Sequence, residues 1–316
     1  MIQKKLSLGI DTSNYKTSVA VVDDQGNILY NSQSFLYVKE GERGLRQSDA
    51  FFQHVKKLPE IMEEVFSLPG IRKNIGCVAV STRPRPVDGS YMPVFMAGEA
   101  FARTLSCSLN VPLFEFSHQE GHVEAVKYYS KFREINNIVT FHFSGGTTEA
   151  LLVDFDKKSF QIVGGSKDIS YGQVIDRIGV SLGLPFPCGE ELDELALFGS
   201  YTEKRLSKIK VNDCFVNLSG IETQGQKLVG QIQAHELIAE LFEKISESVK
   251  EMTLQISEKY EIKDFIFAGG VSSSGYLRNY LRNNLPKDIN YSFGEPKLSQ
   301  DNAIGIALLG GKNIWL

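Results

Sequence analysis

Cysteine is scarce and scattered in this chain: Cys77, Cys107, Cys188 and Cys214 are far apart, with no CxxC spacing. That argues against a disulfide framework and fits reduced thiols in a cytosolic setting. Long apolar runs are missing too. The opening stretch Met1-Ile2-Gln3-Lys4-Lys5-Leu6-Ser7-Leu8-Gly9-Ile10-Asp11 is too short and interrupted for a signal peptide, and no later run approaches a membrane span, so a membrane protein is not expected. Positive charge is not in excess: the formal net charge of −4 argues against a bulk nucleic-acid binder, though not against a local basic patch. Nor is there a Pro/Gly-rich or low-complexity linker, so any two lobes are expected to pack closely. What remains, 42% hydrophobic and 23% charged residues over 316 positions, is the composition of a globular protein with one large domain or two of about 150 residues.

The chain reads as a duplication. In the first half an apolar run, Leu6 to Asp11, turns at Thr12-Ser13-Asn14-Tyr15-Lys16-Thr17 and returns through Ser18 to Asp23; a third strand-like piece, Asn27 to Tyr30, follows. In the second half Ile138 to Phe143 turns at Ser144-Gly145-Gly146-Thr147-Thr148, returns through Glu149 to Asp154, and is followed by Phe160 to Val163. Helical patterns occur at Ala50 to Phe66, Glu99 to Leu105, Gly172 to Leu182 and Leu237 to Tyr260, with further strands at Gly76 to Ser81 and Asp264 to Phe267. Strands first, then alternating helix and strand, twice over, predicts two related α/β lobes facing a cleft.

Three features of that plan can carry chemistry. His118 and His122 are spaced i, i+4, so a helix over 118–130 would put both imidazoles on one face; alone, such a pair is more often hydrogen-bonded than metal-bound. The two hairpin tips, rich in hydroxyls or glycine, present backbone N–H groups suited to phosphate oxygens, although either alone could be only a tight turn. Phe267-Ala268-Gly269-Gly270-Val271-Ser272 joins a strand to the helical stretch Tyr276 to Leu281, where the backbone can approach a base or phosphate. Together the three resemble the actin, Hsp70 and sugar-kinase (ASKHA, ribonuclease H-like) superfamily. The expected first lobe is residues 1–134 plus a C-terminal helix, 302–316, and the second is 135–301.

More specific motifs follow in order. Gly9-Ile10-Asp11-Thr12-Ser13, His118-Gln119-Glu120-Gly121-His122, Ser144-Gly145-Gly146, Gly172-Gln173-Val174-Ile175-Asp176-Arg177, Leu182 to Gly189, Ser219-Gly220-Ile221-Glu222-Thr223, Gly269-Gly270-Val271-Ser272 and Asp301-Asn302 resemble the TsaD (Gcp, YgjD) family along most of the chain. The resemblance implies an iron- or zinc-dependent acyltransferase. Such an enzyme moves a threonylcarbamoyl group from threonylcarbamoyl-AMP to the exocyclic amine of the tRNA adenosine next to the anticodon. It further implies His118, His122 and Asp301 as metal ligands. His142, Phe143, Ser144, Gly145, Gly146, Asp176, Gly189, Gly269, Gly270 and Ser274 would line the adenylate pocket, with Asp11 and Lys16 as catalytic candidates. TsaB-like and TsaE-like proteins are the implied partners, and the cytoplasm the implied location. The family's older label of endopeptidase fails on geometry: Glu120 stands two residues past His118, about 200° around a helix, where an HExxH protease has its glutamate directly after the first histidine.

The sequence also departs from the family. Asn14-Tyr15-Lys16-Thr17 stands where the family carries Cys-Asp-Glu/Asp-Thr, so Lys16 brings a positive charge that repels or relocates a metal, grips an acidic ligand, or turns to solvent. Thr147, Gln173 and Ser274 replace a His or Asn, a Glu and an Asn. His142 is either a fourth ligand or a hydrogen-bonded histidine beneath the loop, while His54 and His235 are expected at the surface. These changes support an alternative, a paralogous acyl- or carbamoyltransferase with another acceptor. A nucleotide-binding partner without activity would need no His118, His122 and Asp301 set, and an actin-like ATPase or sugar kinase would leave the histidine pair without a role. For tRNA, the basic runs are Lys204 to Lys210 and Arg83-Pro84-Arg85-Pro86, which are otherwise solvated faces.

Overall fold

Strand β1 (Leu6–Ser13) alternates its side chains between two faces, and that alternation decides what each face of the first sheet carries. The computed structural model describes residues 5–13, 15–38, 45–154, 159–295, 298 and 303–315. By internal contacts the chain divides into two units, Met1–Tyr129 with Gln300–Leu316, and Ser130–Ser299.

In the first unit, β1, β2 (Lys16–Val22) and β3 (Ile28–Phe35) form an antiparallel meander. Strands β4 (Ile75–Arg83) and β5 (Leu113–Ser117) add in parallel, giving the order β3-β2-β1-β4-β5. Every residue of β1 and β2 is buried, including the polar Asp11, Thr12, Ser13, Lys16, Thr17 and Ser18 around their tip. Ile10 and Thr12 face helix α3 (Phe95–Leu109), where Gly98 leaves room for them. One residue out of phase, Gly9 faces helix α10 (Ile304–Gly311); a Cβ there would stand 2.6 Å from the Ala307 nitrogen. Helix α1 (Gln47–Ser67) buries a stripe of Ala50, His54, Leu58, Ile61, Met62 and Val65 at helical spacing. The single turn α2 (Ile71–Asn74) leads into β4, and α4 (His118–Tyr128) begins directly after β5.

The second unit repeats the scheme. Strands β6 (Asn137–Phe143), β7 (Thr148–Asp154) and β8 (Ser159–Ser166) form the meander; β10 (Asp264–Ala268) runs parallel to β6 and β11 (Asn290–Phe293) parallel to β10. The two-residue β9 (Phe215–Val216) extends the far edge beside β8. The series β8-β7-β6-β10-β11 therefore has the same order and strand directions as β3-β2-β1-β4-β5. Helices α5 (Tyr171–Ser181), α6 (Gly189–Phe198), α7 (Ser219–Leu228), α8 (Ala234–Tyr260) and α9 (Gly275–Asn284) complete it. Its core is aromatic: the Phe141 and Phe267 rings stack at 4.9 Å, and Phe143 and Phe265 join them, fully buried. Each such burial stabilises by about 1.5–3 kcal/mol relative to an exposed ring.

The cysteines are free; burial pushes the Cys77 and Cys188 thiols up to about 11, so neither is a ready nucleophile. Among the described residues, no helix is long and apolar enough to cross a membrane.

Candidate functional site

The histidine pair sits at the first turn of α4, and the local sequence shows why. Ser117 ends β5 and caps the helix: its Oγ accepts the Glu120 N–H at 3.1 Å, while the Glu120 carboxylate accepts the Ser117 N–H at 2.6 Å. Glu120 is thereby committed to the cap, with Arg83 3.6 Å from the same oxygen. It is not turned toward the histidines as a protease base would be. Gly121 serves helix packing. A Cβ on Gly305 of α10 would stand 1.8 Å from the Gly121 carbonyl oxygen, and one on Gly121 would meet the Ile306 side chain at 2.8 Å. The glycines thus let α4 and α10 cross at close range, and Lys312 reaches the buried Glu124 carboxylate at 2.6 Å further along.

On the outer side of that crossing, the His118 and His122 rings meet edge to face, centroids 4.4 Å apart, with their Nε2 atoms 2.9 Å apart. His118 Nδ1 lies 2.8 Å from Asp11 Oδ1. A carboxylate only accepts, so Nδ1 carries the proton, and in the neutral ring the Nε2 lone pair faces His122. Two nitrogens sharing an ion at about 2.0–2.1 Å each stand at most about 4 Å apart, and the observed separation satisfies this. A carboxylate behind the distal nitrogen is the usual support of a metal-bound histidine. The donor set therefore fits a divalent ion. Asp301, the expected third ligand, lies outside the described residues, among which no group of three or more candidate ligands is found.

The structure decides one open alternative, at Lys16, and overturns one expectation, at His54. Lys16 is buried, not turned to solvent: its ammonium lies 4.4 Å from the Phe35 ring centroid and 3.3 Å from Gln33 Oε1. The positive charge is thus held over an aromatic face on the β3 side of the tip. His54 is wholly buried, not a surface residue; its Nδ1 meets Thr17 Oγ1 at 2.8 Å. Burial, partly opposed by the charge of Asp11 and a backbone bond to Ser13, pulls its pKa down to about 4. The reason is positional: His54 occupies the apolar stripe of α1 under the hairpin. His235 is exposed, as expected.

The second unit gathers most of the other candidates around one loop. Ser144 organises it, accepting the Gly146 and Thr147 N–H groups at 3.3 and 3.1 Å while its own N–H donates to the Thr147 carbonyl. Ser170, the N-cap of α5, donates to the Gly145 carbonyl at 2.8 Å and accepts the Gln173 N–H. Two glycines press against the loop from behind: a Cβ on Gly172 would lie 2.5 Å from the Ser144 carbonyl oxygen, and one on Gly269 would lie 2.3 Å from that of Phe143. Gly269 also has a φ of 91°, which favours glycine. On the other side nothing stands within 4 Å of a Cβ built on Gly146, Gly189 or Gly270, so the backbone there is open to a ligand. Asp176 Oδ2 lies 3.9 Å from the Cβ position of Gly145, and Oδ1 accepts the Cys188 N–H at 2.9 Å. Burial raises the Asp176 pKa, and that N–H partly opposes it.

Not every candidate offers a side chain. Phe143 is core, packed on Tyr171, so only its backbone is placed at the loop. Ser274 caps α9, accepting the Leu277 N–H at 3.0 Å and donating to Asp193 Oδ1 at 2.5 Å. His142 is half-buried on β6, opposite Glu149 of β7 and beside Ala268 of β10. Asp193 was missed in the sequence. Its carboxylate also accepts the Gly275 and Tyr276 N–H groups at 2.7 and 3.1 Å, tying α6 to the start of α9. Its position four residues after Gly189, one turn along the same helix face, was the available signal.

With this geometry in place, comparison with known proteins is informative. A family model described as TsaD, tRNA N6-adenosine threonylcarbamoyltransferase, matches residues 30–308. The protein of that name from Syntrophomonas wolfei is 28% identical over 324 residues, covering 97% of this chain and 92% of its own. Among solved structures, component A of the Acidaminococcus fermentans (R)-2-hydroxyglutaryl-CoA dehydratase superposes with a TM-score of 0.59 at 13% identity, covering 98% of both chains. A ROK family glucokinase from Streptomyces griseus, solved with glucose and AMPPNP, gives 0.53 at 12% identity, covering 97% of this chain and 99% of its own. At such identities the structural likeness speaks for the fold, the duplicated ASKHA plan.

Proposed function

Because the chain belongs to the TsaD family, we propose that it transfers a threonylcarbamoyl group from threonylcarbamoyl-AMP to the exocyclic amine of the tRNA adenosine next to the anticodon, with a divalent metal bound at His118 and His122. The observation that carries this reading is the close approach of the His118 and His122 Nε2 atoms, 2.9 Å apart, with the Asp11 carboxylate behind His118 Nδ1. Asp301 is the further ligand on the family pattern. An iron or zinc ion held there supplies a Lewis acid that orients and polarises the acyl group.

The chain's own residues account for the rest. Space is open beside Gly146 and Gly270, and the N-terminus of α5 abuts the Ser144–Thr147 loop through Ser170 and Gly172, an arrangement that would suit the adenylate phosphate. Asp176 would accept ribose hydroxyls with the carboxylate oxygen not taken by the Cys188 N–H. The donor is a mixed anhydride with AMP as its leaving group, so the attacking amine needs positioning and charge stabilisation more than a strong base. A transferase rather than a peptidase is further supported by Glu120, whose carboxylate serves the helix cap.

Lys16 favours a second reading. A buried ammonium where the family keeps a carboxylate, together with Ser274 committed to a helix cap, supports a paralogue using the same donor chemistry on another acceptor. One experiment separates the two. The purified protein is incubated with threonylcarbamoyl-AMP and unmodified tRNA, with and without TsaB-like and TsaE-like proteins, beside a His118→Ala control. Threonylcarbamoyladenosine formed by the wild type and not by the variant supports the tRNA enzyme. Bound metal with no tRNA product under any partner condition supports the paralogue.

A further inference from the structure

Ser81 is a wholly buried hydroxyl with no part in the chemistry described so far. It belongs to β4, which lies parallel to β1 with Ile10 opposite Val80, so Asp11 and Ser81 are the next residues along the two strands. Their side chains meet: Ser81 Oγ donates to Asp11 Oδ1 at 2.5 Å. That same oxygen accepts the His118 Nδ1–H at 2.8 Å, and His118 Nε2 faces His122. One carboxylate oxygen thus receives two donors, one from the sheet beneath it and one from the helix beyond it. A carboxylate on a single-bonded stem can rotate, and only some rotations put Oδ1 in line with the imidazole. The hydroxyl belongs to β4, an interior strand paired on both sides, and holds that oxygen from the sheet.

We propose that Ser81 is a positioning residue for the metal site, acting through Asp11 to fix the orientation of the His118 ring. This rests on the metal reading of the histidine pair. The order of contacts, Ser81 to Asp11 to His118, makes Ser81 one step further out than the partners that usually support a metal-bound histidine, whose loss costs about 10–100-fold in affinity. The expected effect of losing its hydroxyl is accordingly at the lower end, about tenfold.

The test uses a matched pair. Ser81→Thr keeps the hydroxyl and adds a methyl group, and Ser81→Val has nearly the same shape without the hydroxyl, so their comparison isolates the donor from packing. Zn2+ affinity is measured for the full chain by competition with a chromophoric chelator, and Co2+ absorption in the visible reports ligand geometry. Thermal melts confirm that each variant is folded, and His118→Ala defines the loss of the site. The expected result is Zn2+ binding by Ser81→Thr close to wild type, binding by Ser81→Val about tenfold weaker, and a Co2+ spectrum altered in the Val variant alone. Equal affinity and equal spectra for Thr and Val would overturn the proposal while leaving the metal site standing. Wild-type protein that binds no more Zn2+ than His118→Ala would remove the metal reading itself, and the proposal with it.

Discussion

His54 shows how much one side chain can reveal about the environment of a site. Its imidazole is fully buried against Thr17, and its folded-state pKa of about 4 lies below the ordinary 6.5. The unfolded chain therefore takes up the proton first as pH falls. The contribution to stability is complete above about pH 6.5, is lost progressively between 6.5 and 4, and levels off below that, amounting to about 3 kcal/mol. Denaturation midpoints measured across this range should fall less steeply for His54→Gln, which keeps hydrogen-bonding capacity without a titrating ring. Parallel profiles for the two proteins would show that His54 is not the group responsible. From its sequence this residue was expected at the surface, although the pattern around it pointed inward. Ala50, His54, Leu58 and Ile61 follow the period of a buried helix face, and only the polarity of histidine argued for the surface.

At the scale of elements, glycines with opposite surroundings make opposite predictions. Gly305 cannot gain a methyl group without displacing the Gly121 backbone, so Gly305→Ala should cost at least about 1–3 kcal/mol and disturb the helix that carries both histidines. Gly146 has open space, so Gly146→Ala should leave the melting temperature unchanged or slightly raised, while the methyl group intrudes where the proposed phosphate lies. Thermal melts of the two variants check both; equal destabilisation would contradict this account of the α4–α10 crossing. The same contrast explains what the sequence could and could not convey. The meanders of both halves were legible because strands buried on two faces leave apolar runs bounded by turns. Helix α6 was not, because only Leu192 and Ala196 of its ten residues are buried, its first turn carries Glu190 and Glu191, and its short apolar stripe is blurred by the exposed Leu197 and Phe198. The motif His118 to His122 was visible as a pattern, but the sequence could not assign its middle residues. Glu120 acts as a cap and Gly121 as a packing surface, and both roles depend on contacts with other residues. Ser81 and Asp193 escaped for a related reason: each acts through a carboxylate or helix end that is distant in sequence.

For the molecule as a whole, the two proposed binding tasks fall in different units. The histidine pair and its Asp11 support belong to the first unit, and the Ser144–Thr147 loop with its backing glycines to the second. Each arrangement is held by hydrogen bonds and packing within its own unit, and substitutions without shared partners are close to additive. Ligand binding by the two should therefore be separable. His118→Ala is expected to lose Zn2+ binding yet keep an affinity for AMP within about twofold of wild type. Gly146→Val, which places bulk on the open side of the loop, is expected to weaken AMP by about tenfold or more, equivalent to about 1.4 kcal/mol, while Zn2+ binding persists. Both variants should fail in threonylcarbamoyl transfer, since the proposed reaction draws on both units. Titration calorimetry with Zn2+ and AMP separately, on the wild type and both variants, gives the six affinities needed. If His118→Ala lost AMP as well, nucleotide affinity would depend on the histidine pair, and the glycine loop could no longer be the principal phosphate site.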